Sequence, residues 1–569
     1  MSQDWYDDSL TSWPALLDRQ AAAHADRTFL AMDDRTISYS RFRREVDMLA
    51  RGLMALGVRK GDVAAIFMTN SIEWVICQFA IYKTGAILLP LYSYYRESEL
   101  TYALNQAEVS VLIMQDRFLG KVDACAIATA SIPELQSADA GTFESARVPS
   151  LRHVIRVGAG KELPSRHSLD DIRARGAQVS TEALAERQGR ISPFDLMNIM
   201  YTSGTTGFPK GGMSMHVTNL VTTHQWSTLA ELGPEDVILC HVPLFTNFGG
   251  LYGAPLGLRN GARVVITEQF DAAQSLHLIA KEGVTYIPGT PSMFRMMLDH
   301  PDISDRDLSS LRGGHVAGAP LTDATMQDII DVLGARRIMQ AWGLSECGGL
   351  STVSTADHPR HKRLTTVGKP LDSAVLRIVR GDSGAEAARG EQGEILLGDA
   401  RPGSCVGKGY WKMPERTREA IDAEGFFHTG DVGFIDEDGY LHITGRVDDM
   451  FTVGGFNIYP AEIEKQLEEM GGVSEAYIVP VEDRRMGNLP AAWIVADRDG
   501  GPSVEAVAGY VRSRMTSQKV PRRVFFCAPE DLPRTPVGKL KKKELIRMTA
   551  EKIAADPDAG LVRTEERTQ

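Results

Sequence analysis

Basic charge, cysteine pairs and long apolar runs are what this sequence is short of. Lys and Arg number 62 against 74 Asp and Glu, a net charge of −12 with a pI near 5.6. That balance argues against a nucleic-acid partner, which calls for a basic face, and favours solubility. Six cysteines occur in 569 residues (Cys77, Cys125, Cys240, Cys347, Cys405 and Cys527), with no Cys-x-x-Cys pair and no metal-ligand spacing. A reduced, cytoplasmic setting fits that usage, and a disulfide framework does not. No apolar run is long enough to span a bilayer, so no transmembrane segment is expected. The opening Met1-Ser-Gln-Asp-Trp-Tyr-Asp-Asp8 is acidic where a secretory signal is basic and then apolar. Neither a repeat of fixed period nor a low-complexity tract is present.

What is there reads as a globular chain, 43% hydrophobic and 24% charged. Its length exceeds what one core supports, so two or more domains are expected. Phe42, Val46, Leu49, Leu53 and Leu56 recur in steps of four and three, which predicts an amphipathic helix over 40–56 with Gly57 as its stop. Short apolar runs at Val63–Phe67, Val111–Met114, Val237–Cys240, Arg263–Ile266 and Ile338–Gln340 alternate with helical stretches, the pattern of an α/β fold with mostly parallel sheets. After about residue 380 the runs shorten and fill with Gly and Asp. Asp438-Gly439 between apolar segments marks a hairpin. Pro460 opens a helix with Glu462 and Glu464 in its first turn. The expected architecture is α/β: a large N-terminal domain of several subdomains (1–446) and a small C-terminal α+β domain (447–569). From Glu551 the polar chain predicts a frayed tail.

One loop carries most of the chemistry. Leu196-Met-Asn-Ile-Met-Tyr201 reads as a buried strand and feeds into Thr202-Ser203-Gly204-Thr205-Thr206-Gly207-Phe208-Pro209-Lys210-Gly211. Glycines let backbone N–H groups approach an anion, four hydroxyls add donors, and Lys210 adds a positive charge. A Walker-type loop needs Gly-Lys-Ser/Thr opening a helix. Here Phe208-Pro209 precede the lysine, no Ser/Thr follows it, and Met213-Ser-Met215 predicts another strand. The P-loop reading fails on spacing and context.

At these residues the chain resembles the adenylate-forming superfamily of AMP-binding enzymes, which includes acyl-CoA synthetases, aryl-acid CoA ligases and peptide-synthetase adenylation domains. Further tracts follow in the family's order. Gly314-His-Val-Ala-Gly318-Ala319-Pro320-Leu321 resembles the adenine-side loop. Gln340-Ala341-Trp342-Gly343-Leu-Ser345-Glu346 resembles the Gln-x-Tyr-Gly-x-Thr-Glu motif, with Trp and Ser keeping the aromatic face and the hydroxyl. Val406-Gly-Lys-Gly409-Tyr410-Trp411 and Phe427-His-Thr-Gly430-Asp431 resemble the next two. Gly445-Arg446-Val-Asp448-Asp449 is similar to the domain hinge, and Gly454-Gly455-Phe456-Asn457 to the segment presented for thiolation. Leu532-Pro-Arg-Thr-Pro-Val-Gly538-Lys539 is similar to the tract bearing the catalytic lysine.

The resemblance implies roles. Thr202, Ser203, Gly204, Thr205, Thr206, Gly207 and Lys210 hold phosphates, and Gly318, Ala319, Pro320, Ala341, Trp342 and Gly343 line the adenine. Asp431 accepts from the ribose hydroxyls, and Arg446 touches the nucleotide. Glu346 and Thr202 serve magnesium, Ser345 reaches the phosphate, and Lys539 meets the charge that develops at the α-phosphate. Asp448 is the hinge, and Gly454 and Gly455 border the CoA tunnel. Lys541, Lys542 and Lys543 are expected to be solvated or in contact with CoA phosphates. His358 and His361 lie outside any metal spacing, in an expected mobile charged loop.

The acid pocket implied by the resemblance takes in Phe245, Thr246, Phe248, Gly249, Met293, His315 and Val316. Many CoA ligases carry His where this chain has Thr246. No Asp lies in 242–251 to pair a substrate amine, which disfavours an amino acid and favours an apolar acid. The leading reading is an AMP-forming acid–CoA ligase using ATP, Mg2+ and CoA on a fatty or other apolar acid, with a homodimer left open. Alternatives are an acyl-AMP ligase that loads a carrier protein, a non-catalytic nucleotide-binding homologue, and a luciferase-like oxygenase.

Overall fold

The computed structural model describes residues 6–7, 10–120, 122–136, 144–158, 167–202, 209–319, 321–381, 383–453, 456–497, 501–534 and 540–562. The chain divides into two compact units, one of Met1–Leu376 with Leu396–His428, the other of Arg377–Ile395 with Thr429–Gln569. The fold is mixed α/β, with mostly parallel sheets in the large N-terminal part and a small C-terminal domain.

Over the described residues, the larger unit holds a nine-stranded sheet. Its order is Lys369–Pro370, Thr352–Ser354, Arg337–Trp342, Gly313–Val316, Tyr286–Gly289, Val237–Cys240, Arg263–Ile266, Thr28–Met32 and Arg35–Ser38. The six strands from Arg337–Trp342 to Thr28–Met32 are parallel, and antiparallel strands close both edges. A seven-stranded sheet runs Lys210–Met215, Leu196–Thr202, Ile87–Pro90, Val63–Phe67, Val109–Gln115, His153–Val157 and His167–Ser168. Only its edge hairpin Leu196–Thr202/Lys210–Met215 is antiparallel. Val63–Phe67 is buried along its whole length, as a central parallel strand covered on both faces must be.

Helix Tyr39–Ala55 shows how local sequence builds this core. Ser38 caps it by accepting from the Arg41 N–H, and Phe42, Val46, Leu49 and Leu53 are fully buried. Each such side chain contributes about 1.5–3 kcal/mol on burial. Gly57, at φ +87°, ends the run by donating its N–H to the Met54 carbonyl.

In the smaller unit, Phe456–Ile458, Phe451–Val453, Gly487–Ala496 and Val473–Asp483 form an antiparallel sheet, with Arg523–Cys527 added parallel to Gly487–Ala496. Helices Pro460–Glu468, Val504–Arg512 and Lys542–Ala555 accompany it.

Three expectations are corrected. The chain does not fray at Glu551: helix Lys542–Ala555 runs through it, Arg523 donates to the Pro557 and Ala559 carbonyls, and Leu561 bridges Arg523. The His358–His361 tract is no loose loop. Arg360–Thr365 is helical, and buried Arg363 fastens it by donating to the Arg336 and Ile338 carbonyls. Lys542 is not a solvated cation: its ammonium lies 3.1 Å from Glu464 and 3.7 Å from Asp449.

Candidate active site

The larger unit brings the phosphate-loop hairpin and the Trp342–Glu346 tract together, although 144 residues separate Thr202 from Glu346. Strand Leu196–Thr202 ends with Thr202 paired to Lys210, and the Thr202 hydroxyl donates to Glu346 Oε1 at 3.2 Å. The same oxygen accepts from the Tyr410 hydroxyl at 3.1 Å. Glu346 is buried in the short helical turn Ser345–Cys347, so two hydroxyls hold the carboxylate with one oxygen engaged. Ser345 is half-buried beside it.

Backbone pairing makes this arrangement rigid. Trp411 N–H donates to the Gly211 carbonyl at 2.8 Å, Met213 N–H to Gly409 at 2.9 Å, and Gly407 N–H to Glu346 at 2.9 Å. Glycines permit the approach: a Cβ on Gly407 falls 2.2 Å from the Met213 carbonyl oxygen, and one on Gly343 falls 1.9 Å from that of Gly349. The Lys210 ammonium sits 5.2 Å from the centre of the Tyr410 ring, within cation–π range. Tyr410 therefore joins lysine and glutamate. Sequence reading placed it in a motif but gave it no role, and a tyrosine following Gly-Lys-Gly was the available signal.

Ala341 is buried and Trp342 half-buried at the end of strand Arg337–Trp342. Gly318 and Ala319 lie exposed after strand Gly313–Val316, with Gly318 at φ +88°. Ser203, Gly204, Thr205, Thr206, Gly207, Pro320, Gly454, Gly455 and Lys539 fall outside the described residues.

Strands Phe427–Ile435, whose part from Thr429 onward lies in the smaller unit, and Leu441–Arg446 set Asp431 opposite Arg446. Arg446 Nη1 lies 3.4 Å from Asp431 Oδ1, while Nη2 donates to the Thr429 carbonyl at 3.3 Å. Asp448 is exposed in the short turn Val447–Asp449.

The proposed acid-pocket residues separate into groups. Phe245 is buried against Tyr92, with ring centres 4.9 Å apart, and the Thr246 hydroxyl donates to the Pro243 carbonyl at 2.8 Å. Gly249 backs onto Pro243, where a Cβ would meet the carbonyl oxygen at 2.5 Å. Val316 lies in a core cluster with Leu239, Ile287 and Phe294. Met293 is half-buried in helix Pro291–Leu298 and packs on the main core, as does Phe248.

His315 alternates to the face opposite Val316 and is caged by aromatic rings. Ring centres of Phe248, Trp226 and Tyr252 lie 5.0, 5.2 and 5.6 Å away. Trp226 Nε1–H, which can only donate, reaches the Tyr286 hydroxyl at 2.8 Å. That hydroxyl lies 2.9 Å from His315 Nδ1. With Trp226 occupying a lone pair, the Tyr286 proton is free to point to Nδ1. Burial lowers the His315 pKa to about 3, so the ring is neutral, and with the Tyr286 hydroxyl donating to Nδ1 the ring's own proton sits on Nε2. Nε2 is buried without a partner among the described residues. An unpaired buried donor costs about 1–3 kcal/mol.

Comparison with known proteins gives the family. Residues 17–411 match the model of the AMP-binding enzyme family, and residues 462–539 match the AMP-binding enzyme C-terminal domain. YngI of Bacillus subtilis, provisionally named an acyl-CoA synthetase, is 36% identical over 94% of this chain and 96% of its own. A (methyl-dioxo-octahydroindenyl)propanoyl:CoA ligase of Mycobacterium tuberculosis is 34% identical over 94% and 98%. The crystal structure of ATP-bound MatB from Rhodopseudomonas palustris superposes with a TM-score of 0.80 at 27% identity, covering 95% of this chain and 99% of that one. On its own motifs, its fold and these matches, the chain belongs to the AMP-binding enzyme family.

Proposed function

We propose that this protein is an AMP-forming acid–CoA ligase acting on an apolar carboxylic acid. The observation that carries the reading is the Glu346 carboxylate, held by Thr202 and Tyr410 at the end of the phosphate-loop hairpin. Oxygen donors of this kind suit magnesium, a hard cation that keeps several waters and binds through one or two carboxylates plus substrate phosphates. Among the described residues no cluster of three or more His, Cys, Asp or Glu competes for a metal. Glu346 and Thr202 would hold the ion, which when bound would neutralise phosphate charge.

Lys210 and the hydroxyl-rich loop bind the β- and γ-phosphates, Trp342 offers its face to the adenine, and Asp431 accepts from the ribose hydroxyls beside Arg446. Ser345 reaches the phosphate. A carboxylate oxygen attacks the α-phosphorus, the bond to pyrophosphate breaks, and Lys539 meets the charge that develops. The thiol of CoA then attacks the acyl carbon, AMP leaves with the original carboxylate oxygen, and the thiol proton is lost to solvent. The C-terminal domain (447–569) turns about Asp448 between the two steps, exchanging Lys539 for the Gly454-Gly455 segment at the reacting centre.

Phe248 and Met293 favour an apolar acid, and the ring-bearing acid in the name of the mycobacterial relative makes alicyclic propanoic acids worth including with fatty acids. The six cysteines, all free thiols, favour a cytoplasmic setting. Among the described residues no helix is long and apolar enough to cross a membrane.

The test is incubation with ATP, magnesium, CoA and a panel of fatty and alicyclic acids, with AMP, pyrophosphate and acyl-CoA quantified. Equal yields of the three support the reading. Pyrophosphate and enzyme-bound adenylate with no thioester after CoA addition overturn it in favour of a carrier-protein acceptor.

A further inference from the structure

His315, which the family resemblance assigns to the acid pocket, is a fully buried polar group that the mechanism leaves unused. Its ring is 0% exposed. One nitrogen is committed to Tyr286, which is itself fixed by Trp226, so the ring cannot turn without breaking a buried relay. The other nitrogen has no partner among the described residues.

The cage is joined to the catalytic turn. Tyr252, whose ring faces His315, accepts from the Leu350 N–H at 3.0 Å and meets the Gly348 carbonyl at 3.4 Å. Those residues directly follow Glu346 and Cys347. Phe248, from the short helix Asn247–Gly250, packs on the other side and is only half-buried. An apolar wall with a single fixed N–H donor is the chemistry of a site that reads one oxygen on an otherwise apolar ligand.

We infer that His315 is a specificity-determining residue: its Nε2–H donates to a neutral acceptor oxygen carried on the acyl group, so the preferred acids are apolar and oxo-substituted. A ketone oxygen satisfies the donor, whereas a plain hydrocarbon in the same place leaves it unpaired. This inference rests on the reading of the chain as an acid-activating ligase and adds the class of acid.

The experiment compares matched acids: octanoic acid with oxo-octanoic acids, and cyclohexanepropanoic acid with its ring ketone. Wild-type enzyme is expected to favour the better-fitting oxo member of a pair by about tenfold or more in kcat/KM, since a site built to donate a hydrogen bond rejects the analogue lacking the acceptor. His315→Phe is expected to bring that ratio close to one, with the larger loss on the oxo acid. His315→Gln, which keeps an N–H donor, is expected to restore part of it. Absence of preference in any wild-type pair overturns the inference without recourse to a variant. So does an equal fall for both members in His315→Phe, which would assign the residue to the carboxylate or to the fold. If no acid of either kind yields AMP and acyl-CoA, it is the ligase reading that fails.

Discussion

Replacing Glu468 by Gln should change how the smaller unit's stability depends on pH. Glu464 and Glu468 are one helical turn apart on helix Pro460–Glu468. Burial pushes the Glu468 carboxyl up from 4.5 to about 8, and the Glu464 charge adds to the rise. Glu475 also raises it, while Lys465 and a hydrogen bond from the Ala476 N–H oppose. Lys542 is committed to Glu464 and Asp449.

The sign follows from a folded-state value above the unfolded one. The contribution of Glu468 is fully present below about pH 4.5 and is lost as pH rises through about 8. At about 1.4 kcal/mol per unit the full shift is worth about 5 kcal/mol. The side chain is incompletely sealed from water, so about half of that, 2–3 kcal/mol, is the expected swing. Gln imitates the neutral acid. Wild type and Glu468→Gln should match near pH 5, and the variant should be the more stable by pH 8. Native-state hydrogen exchange of amides in Val473–Asp483 and Gly487–Ala496, corrected for intrinsic rates, isolates this unit. A difference between the two proteins that does not change with pH, or that favours wild type at pH 8, refutes the reasoning.

Lys542→Met leaves Glu464, whose side chain is 15% exposed, without its cation and should destabilise the smaller unit by about 2–4 kcal/mol; Lys542→Arg should recover most of it in the same exchange measurement. Tyr410→Phe removes one of the two hydroxyls on Glu346, and the magnesium concentration for half-maximal activity should rise about tenfold, the effect of losing an outer-shell partner. An unchanged magnesium titration would argue that Tyr410 only packs.

Much of the fold was legible because it rests on local pattern. Strands Val63–Phe67, Val237–Cys240 and Arg263–Ile266 appear at the residues their apolar runs marked, since a strand covered on both faces must be apolar throughout. Strand Leu196–Thr202 was readable from its buried run and a second strand from Met213-Ser-Met215, though that strand begins earlier, at Lys210, and its antiparallel pairing with the first was not read. Features joining distant residues were not readable. Tyr410 meets Glu346 across 64 residues, and Lys542 meets Glu464 across 78. Lys542 in a run of lysines looked solvated because nothing local announces a buried carboxylate. The tail beyond Glu551 looked frayed because its anchor, Arg523, lies 34 residues upstream of Pro557. The isolation of His315 Nε2 depends on three elements converging, with Trp226, Tyr252 and Tyr286 drawn from separate parts of the chain.

The central claim is that a carboxylate oxygen attacks the α-phosphorus of ATP. It is tested most directly by supplying the acid with both carboxylate oxygens replaced by heavy oxygen and analysing the products by mass spectrometry, with Lys539→Ala alongside. The account predicts one heavy oxygen in the AMP phosphate, one retained in the thioester, and none in pyrophosphate, with label transfer slowed at least about a hundredfold in the variant. Heavy oxygen in inorganic phosphate with ADP as the other product would contradict it.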